Sequence, residues 1–194
     1  MNNELVQRLK DGNERFVAKK MTGHNYMAQV EATAGGQKPF AAVLGCIDSR
    51  VPAELVFDQG IGDIFNVRIA GNFINDDILG SLEFACKVAG SKVIVVLGHS
   101  SCGAVKGACD NVELGKLTGM LANIKPAVNS VEGNFDDKSS KNAAYVQAVS
   151  DKNVELTVQA IRDNSEVLRE MIDNNEISVV GAMYDVASGQ VRFN

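Results

Sequence analysis

Short apolar runs along the chain predict the strands of a buried β-sheet. The runs are rich in small and β-branched side chains at consecutive positions, which is typical of strands covered on both faces of a parallel sheet. The predicted strands are Phe40–Leu44, Ile64–Ile69, Val93–Leu97 and Ile177–Met183. Ser188-Gly189 follows the last run and turns the chain back into Gln190–Phe193, which predicts an antiparallel edge strand.

The segments between these runs have the apolar spacing of helices. Asp76 or Asp77 is suited to cap a helix that ends near Ala89, with Phe84 on its inner face beside Ile78, Leu82 and Ala85. The other predicted helical segments are Asn3–Lys19, Pro52–Phe57, Gly103–Cys109 and most of Leu114–Glu170, with breaks near Pro126 and within Glu132–Ser140. Gly23–Lys38 is polar and rich in turn residues, which predicts a loop.

Strands that alternate with helices predict an α/β fold. We expect a mainly parallel central sheet of about four strands plus an antiparallel C-terminal edge strand, flanked by helices. The whole chain, residues 1–194, is predicted to be a single domain, with an N-terminal helical arm and loop over 1–38 and an α/β core over 39–194. The apolar face of Asn3–Lys19 has no nearby strand to cover. It therefore packs either on another subunit or on its own domain.

The amino-acid composition argues against several classes of function. Of the 194 residues, 45% are hydrophobic and 22% are charged, which is the mixture of an ordinary globular domain. The net charge of −5, without a block of Lys or Arg, argues against nucleic-acid or membrane partners. Met1–Lys10 lacks the apolar core of a signal peptide, so we expect a cytoplasmic protein whose four cysteines are thiols rather than disulfides.

Two of the apolar runs end at residues able to bind a metal ion. Cys46 follows Gly45 after the first run, and His99 follows Gly98 after the third, with Cys102 three residues later. The carboxyl ends of parallel strands meet where open α/β sheets place their ligands. Two thiolates and one imidazole, with a fourth position left open, form a ligand set of catalytic Zn²⁺. Such a metal lowers the pKa of bound water from ~15.7 towards ~7, which yields hydroxide as a nucleophile.

Asp48 and Arg50 alternate with Cys46 in the sequence C-I-D-S-R, so an extended segment places all three side chains on one side. Asp48 is suited to orient the hydroxide or to become the fourth metal ligand. Arg50 is suited to hold that carboxylate with two hydrogen bonds and to keep it ionised. The remaining cysteines, Cys86 and Cys109, are interpreted as buried thiols and His24 as a surface residue.

At these residues the sequence resembles the β-class carbonic anhydrases. The similar segments are C-I-D-S-R-V-P from Cys46, F-D-Q-G-I-G-D-I-F-N-V-R-I-A-G-N from Phe57 and G-H-S-S-C-G from Gly98. The resemblance implies Zn²⁺ on Cys46, His99 and Cys102, with Asp48 and Arg50 as a catalytic pair. It also implies the reversible hydration of CO₂ to bicarbonate and a proton.

The resemblance further implies a substrate pocket and a subunit arrangement. Gln37 matches a glutamine that hydrogen-bonds the substrate in one branch of the family. Phe65 and Phe84 match the apolar wall of the CO₂ pocket, contributed in part by the neighbouring subunit, and Gly103 is assigned to the same site. Phe84 stands where that branch often has Tyr. The family's homodimer, which in some members forms a dimer of dimers, favours packing of Asn3–Lys19 on a partner.

Other readings of the same site exist. Related proteins with this zinc site hydrolyse CS₂ or COS, and a zinc- or thiol-based sensor would also use two thiolates, although it leaves Asp48 and Arg50 without a role. A Rossmann-type nucleotide site is excluded because no G-x-G-x-x-G follows the first strand. In one branch of the family a Trp helps to bind a second, regulatory bicarbonate. Here Val43 occupies that position, which predicts inhibition by bicarbonate without cooperativity.

Overall fold

A five-stranded sheet forms the centre of the protein, in the order β2-β1-β3-β4-β5. The structure is a computed structural model that describes residues 2–194, so Met1 lies outside the described part. The strands are β1 (Ala41–Gly45), β2 (Ile64–Arg68), β3 (Val93–His99), β4 (Ser178–Tyr184) and β5 (Val191–Phe193). The first four are parallel and β5 is antiparallel to β4. The predicted α/β fold is therefore confirmed.

Helices precede the sheet and connect its strands. The α-helices are α1 (Asn2–Val17), α2 (Tyr26–Thr33), α3 (Ala53–Val56), α4 (Asp76–Glu83), α5 (Gly103–Cys109), α6 (Gly115–Ala122), α7 (Lys125–Ser130), α8 (Ala143–Asn164) and α9 (Glu166–Asp173). A π-helical turn, Phe84–Val88, continues α4. Among the described residues, no helix is both long and apolar enough to cross a membrane.

Both faces of the sheet are covered, as the continuous apolar runs predicted. Every residue of β1 and β3 is buried. Ala42 and Leu44 pack towards α4, α8 and α9, whereas Ala41 and Val43 point to the opposite face, which α1 and α3 cover. A third apolar cluster, built from α5 to α8, lies beyond the carboxyl ends of β1 and β3 and contains Cys46 and Cys102.

The N-terminal helix packs on its own chain. Leu9 of α1 is fully buried in the cluster that contains Val43 and Phe57. The Asn13 amide donates hydrogen bonds to the carbonyl oxygens of Val56 and Gly189. The expectation that this apolar face has no strand of its own to cover is wrong, because the neighbouring strands are distant in sequence. The contact of α1 with a second subunit stays a prediction, as does the single-domain assignment with its boundary after residue 38.

Several local expectations also need correction. The segment predicted as a loop before β1 contains α2, whose N-terminus is capped by the Asn25 side chain. The cap of α4 is Asn75, rather than Asp76 or Asp77. Phe84 is 52% exposed, because it lies two residues, or about 200° of helix rotation, beyond Leu82 and so falls outside the buried face that Ile78, Leu82 and Ala85 share. The break predicted near Pro126 is confirmed, because α6 ends at Ala122 and α7 begins at Lys125, with Pro126 in its first turn.

His24 is partly buried, which contradicts its interpretation as a surface residue. Its side chain is 11% exposed, and its Nε2 lies 3.4 Å from Oδ1 of Asp58. Asp58 also accepts hydrogen bonds from Arg15 and from the backbone and hydroxyl groups of Thr22. The polar sequence around His24 suggested solvent, but this buried carboxylate attracts the segment to the protein. Cys86 and Cys109 are buried free thiols, as predicted.

Candidate metal centre

Two strand ends and one helix start bring Cys46, His99 and Cys102 together. Cys46 directly follows β1, His99 is the last residue of β3, and Cys102 precedes α5. Because β1 and β3 pair in parallel with Gly45 opposite Leu97, both strands end at the same edge of the sheet. β3 extends two residues beyond its predicted end, since Gly98 and His99 still pair with β4. The strand thus fixes the backbone of His99.

The three side chains fit a tetrahedral metal ion. Their ligand atoms all lie within 4.8 Å of one another, and each side chain is buried. The sulfur atoms of Cys46 and Cys102 are 4.0 Å apart. Two thiolates bound tetrahedrally to Zn²⁺ at about 2.3 Å have sulfur atoms about 3.8 Å apart, so little movement is required.

The histidine has the orientation of a metal ligand. Nδ1 of His99 lies 3.0 Å from the carbonyl oxygen of Ser100 and donates a hydrogen bond to it in the matching tautomer. That tautomer leaves the lone pair of Nε2 available. Nε2 is buried, and within residues 2–194 it has no hydrogen-bond partner. An orphaned buried acceptor is costly unless a ligand occupies it.

The environment of Cys46 favours its thiolate. Its hydrogen bond with Cys102 is the largest of the effects that lower the pKa of the Cys46 thiol, against the opposing effect of burial, whereas the same hydrogen bond and burial raise the pKa of the Cys102 thiol. His99 and the backbone N–H groups of Gly71 and Asp48 also stabilise the charge. The Gly71 nitrogen lies 3.3 Å from the sulfur. The protein thus favours one thiolate of the pair, at Cys46, and the thiolate is the form of cysteine that binds metal.

Asp48 and Arg50 form the pair expected from the sequence. Nε and Nη2 of Arg50 donate hydrogen bonds of 2.9 and 2.8 Å to Oδ1 and Oδ2 of Asp48. The hydrogen bonds from Arg50 hold the pKa of the Asp48 carboxyl well below its usual range. Oδ2 of Asp48 lies 3.9 Å from Nε2 of His99. An ionised carboxylate of fixed direction therefore lies beside the three candidate ligands.

Arg68 belongs to this centre and was missed in the sequence reasoning. Its Nε donates a 2.8 Å hydrogen bond to the carbonyl oxygen of Cys46, and its Nη2 donates one of 2.6 Å to that of Asp48. The feature that could have identified Arg68 is its position as the last residue of β2, directly opposite Gly45 in the parallel register. That register depends on the tertiary structure, so sequence alone did not place Arg68 beside C-I-D.

The predicted substrate residues do not all lie at this centre in one chain. Gln37 is exposed and precedes β1, whereas Cys46 follows it. The intervening strand spans about 17 Å at 3.3 Å per residue, which is beyond the reach of one side chain. Phe65 and Phe84 make an edge-to-face contact of 6.3 Å in a cleft of about 580 Å³ beside β2. Gly103 is exposed and follows Cys102 directly.

Comparisons with known proteins agree with this geometry. The carbonic anhydrase family model matches residues 41–191. Carbonic anhydrase 2 of Mycobacterium tuberculosis is 39% identical over 188 residues, which cover 94% of this chain and 87% of the relative. A carbonic anhydrase of Mycolicibacterium smegmatis is 37% identical and covers 95% of this chain and 89% of the relative.

Solved structures show the same fold. The β-carbonic anhydrase CafA of Aspergillus fumigatus superposes with a TM-score of 0.76 at 27% identity, covering 98% of this chain and 90% of that one. One of the tetrameric β-carbonic anhydrases of Sordaria macrospora gives a TM-score of 0.75 at 24% identity, covering 98% and 96%. The family match spans both strand ends that carry Cys46 and His99 as well as Cys102. This chain therefore belongs to the carbonic anhydrase family and is an enzyme of its β class.

Proposed function

We propose that this enzyme catalyses the reversible hydration of CO₂ to bicarbonate and a proton, with Zn²⁺ held by Cys46, His99 and Cys102. The observation that carries the proposal is the buried cluster of these three ligand atoms beside the carboxylate of Asp48. A bound Zn²⁺ would supply a Lewis acid that ionises water near neutral pH. In the overall reaction, the oxygen of water bonds to the carbon of CO₂, one C=O electron pair moves onto oxygen, and a proton leaves.

The chain's own residues orient the reactants. The Asp48 carboxylate accepts a hydrogen bond from the attacking oxygen and so directs a lone pair towards the carbon of CO₂. Arg50 holds both carboxylate oxygens, which fixes their direction and keeps Asp48 ionised. The low pKa of Asp48 makes it an acceptor throughout the neutral range. Asp48 is accordingly the proposed catalytic carboxylate, and Arg50 its partner.

We also propose that the substrate pocket is completed by self-association, as a homodimer or a dimer of dimers. Gln37 lies at the far end of β1 from its own chain's centre, so its proposed contact with substrate requires a second copy of the chain. Phe84 and Val88 are 52% and 72% exposed, next to β2, the edge strand of the sheet. Together with Phe65 and Gly103, they would line the pocket or the subunit contact around it.

Sedimentation equilibrium on the parent and on Val88→Glu measures this association, and a monomeric parent that is fully active would contradict it.

We further propose a cytoplasmic location. The four cysteines are buried and free in the structure. Free thiols without disulfides are typical of proteins in a reducing compartment. Fractionation of the host cell with an antibody against the protein tests this placement.

The central test combines metal analysis with stopped-flow CO₂ hydration. We expect one zinc per chain in the parent. Asp48→Asn keeps the size of the side chain but loses its charge, so it should retain zinc and lose about 100-fold or more in rate. Asp136→Asn, in an exposed loop, is the matched control and should behave as the parent does.

Three results would contradict the proposal. A zinc-loaded parent without CO₂ hydration would exclude the reaction, and faster turnover of COS or CS₂ in the same apparatus would identify a different substrate. Parent-like rates in Asp48→Asn would remove Asp48 from the mechanism. Each result is distinct, because zinc content is measured on the same samples.

A further inference from the structure

We propose that Arg68 is a positioning residue of the metal centre. Its guanidinium holds the carbonyl oxygens of Cys46 and Asp48 and thereby sets the directions in which the thiolate and the carboxylate point. This inference rests on the function proposed above and adds to it a residue outside the ligands and the Asp48–Arg50 pair.

The sheet delivers Arg68 to this position. β2 and β1 pair in parallel with Arg68 opposite Gly45, and the Ile69 N–H donates a hydrogen bond to the Gly45 carbonyl oxygen. The half-buried Arg68 side chain therefore starts level with the last residue before Cys46. From there its two donors reach two carbonyl groups that are separated by one residue, Ile47.

The two bonds immobilise the segment that carries the chemistry. Cys46 and Asp48 leave the sheet at the end of β1, where strand pairing no longer fixes their backbone. Arg68 binds the carbonyl group after each of them, so neither peptide plane can rotate without breaking a hydrogen bond to a charged donor. The Asp48 carbonyl also accepts from the Val51 N–H at 3.0 Å, which closes a turn around Asp48.

The shape of the guanidinium matters as well as its charge. Its donors lie in a rigid planar fork, and Nε and Nη2 contact two acceptors at once. The ammonium of a lysine keeps the positive charge near Cys46 and Asp48 but is a compact point donor on a flexible chain. Arg68→Lys therefore separates positioning from electrostatics, since the charge remains and the two-point hold is lost.

The experiment compares Arg68→Lys and Arg68→Ala with the parent and with Arg162→Lys. Arg162 pairs with Asp173 in an exposed contact between α8 and α9, so its replacement is a matched control. Each protein is assayed for zinc per chain, melting temperature and CO₂ hydration per bound zinc. A cobalt(II)-substituted sample of each gives an absorption spectrum that reports ligand geometry without turnover.

We expect Arg68→Lys to keep its metal and to melt as Arg162→Lys does. Its cobalt spectrum should differ from that of the parent, and kcat/KM per metal should fall about tenfold or more, because a displacement of about 1 Å can cost about 100-fold in rate. Added guanidinium should restore part of the activity of Arg68→Ala. If Arg68→Ala does not fold, Arg68→Lys alone provides the test.

The proposal is wrong if Arg68→Lys has the parent's cobalt spectrum and the parent's rate per metal. It is also wrong if the loss of rate merely follows a loss of bound metal, because Arg68 would then be structural only. If the parent does not hydrate CO₂ but the cobalt spectrum of Arg68→Lys is shifted, the proposed function fails while the positioning role stands. The two inferences can thus fail separately.

Discussion

The glycines that precede Cys46 and His99, two of the candidate metal ligands, should respond differently to a methyl group. A Cβ on Gly98 would lie 2.5 Å from Cγ2 of Val154 and 2.8 Å from Cε of Met183. Met183 is flexible, but Val154 is a fully buried, branched residue of α8. No heavy atom of residues 2–194 lies within 4 Å of the Cβ position of Gly45, apart from its chain neighbours. Gly98→Ala and Gly45→Ala are therefore a matched pair at equivalent places in the sequence.

The cost of Gly98→Ala follows from this packing. Overpacking of a core by one methyl group costs about 1–3 kcal/mol. For a protein of this size, that corresponds to a fall in melting temperature of about 2–12 °C. To regain ordinary contact with Val154, the backbone at Gly98 or α8 must move by about 1 Å, and His99 is the next residue. We therefore expect zinc affinity to fall about tenfold or more, together with CO₂ hydration.

Thermal unfolding and competition with a zinc chelator measure the two effects. Gly45→Ala should change the free energy of unfolding by less than about 0.5 kcal/mol and leave zinc affinity near that of the parent. Equal behaviour of the two variants would refute the reasoning, because it would mean that the contact between α8 and β3 does not constrain His99. A destabilised Gly98→Ala with unchanged zinc affinity would refute the link from packing to the metal centre.

Three further predictions concern the ligands, the N-terminal helix and regulation. Cys102→Ala should lose stoichiometric zinc by elemental analysis, because two protein ligands do not hold a catalytic zinc site, and full occupancy would contradict the ligand assignment. Leu9→Ala should cost about 2–5 kcal/mol in urea unfolding, since Leu9 is fully buried, whereas the exposed Glu4→Ala should be nearly neutral. Similar losses of unfolding free energy in Leu9→Ala and Glu4→Ala would mean that the apolar face of α1 does not pack in the core of its own chain. Bicarbonate should inhibit hyperbolically in steady-state assays, because Val43 is fully buried in the core and offers no contact to a second anion. A sigmoidal curve, or Asp48 bound to zinc at neutral pH, would show another route to regulation.

The candidate ligands could be found from the sequence because local patterns encode them. Consecutive apolar residues predict buried parallel strands, and the carboxyl ends of such strands meet at one edge of the sheet. Cys46 and His99 each follow such a run, so their convergence needed no knowledge of long-range contacts. The pairing of Asp48 with Arg50 is likewise local, because the two residues are separated by one position and the bidentate contact forms within one turn.

Features that depend on contacts between distant segments could not be found in this way. Arg68 reaches Cys46 only through the register of β2 against β1, and the partial burial of His24 depends in part on its contact with Asp58, which is distant in sequence. Gln37 matches a substrate-binding position in sequence, yet the direction of β1 puts it at the opposite end of the strand from Cys46. The sequence by itself determined the strands, the candidate ligand set and the family. The tertiary structure alone decided which groups position those candidate ligands. The contact of Arg68 with the Cys46 carbonyl oxygen and the close approach of α8 to Gly98 both depend on how the elements pack.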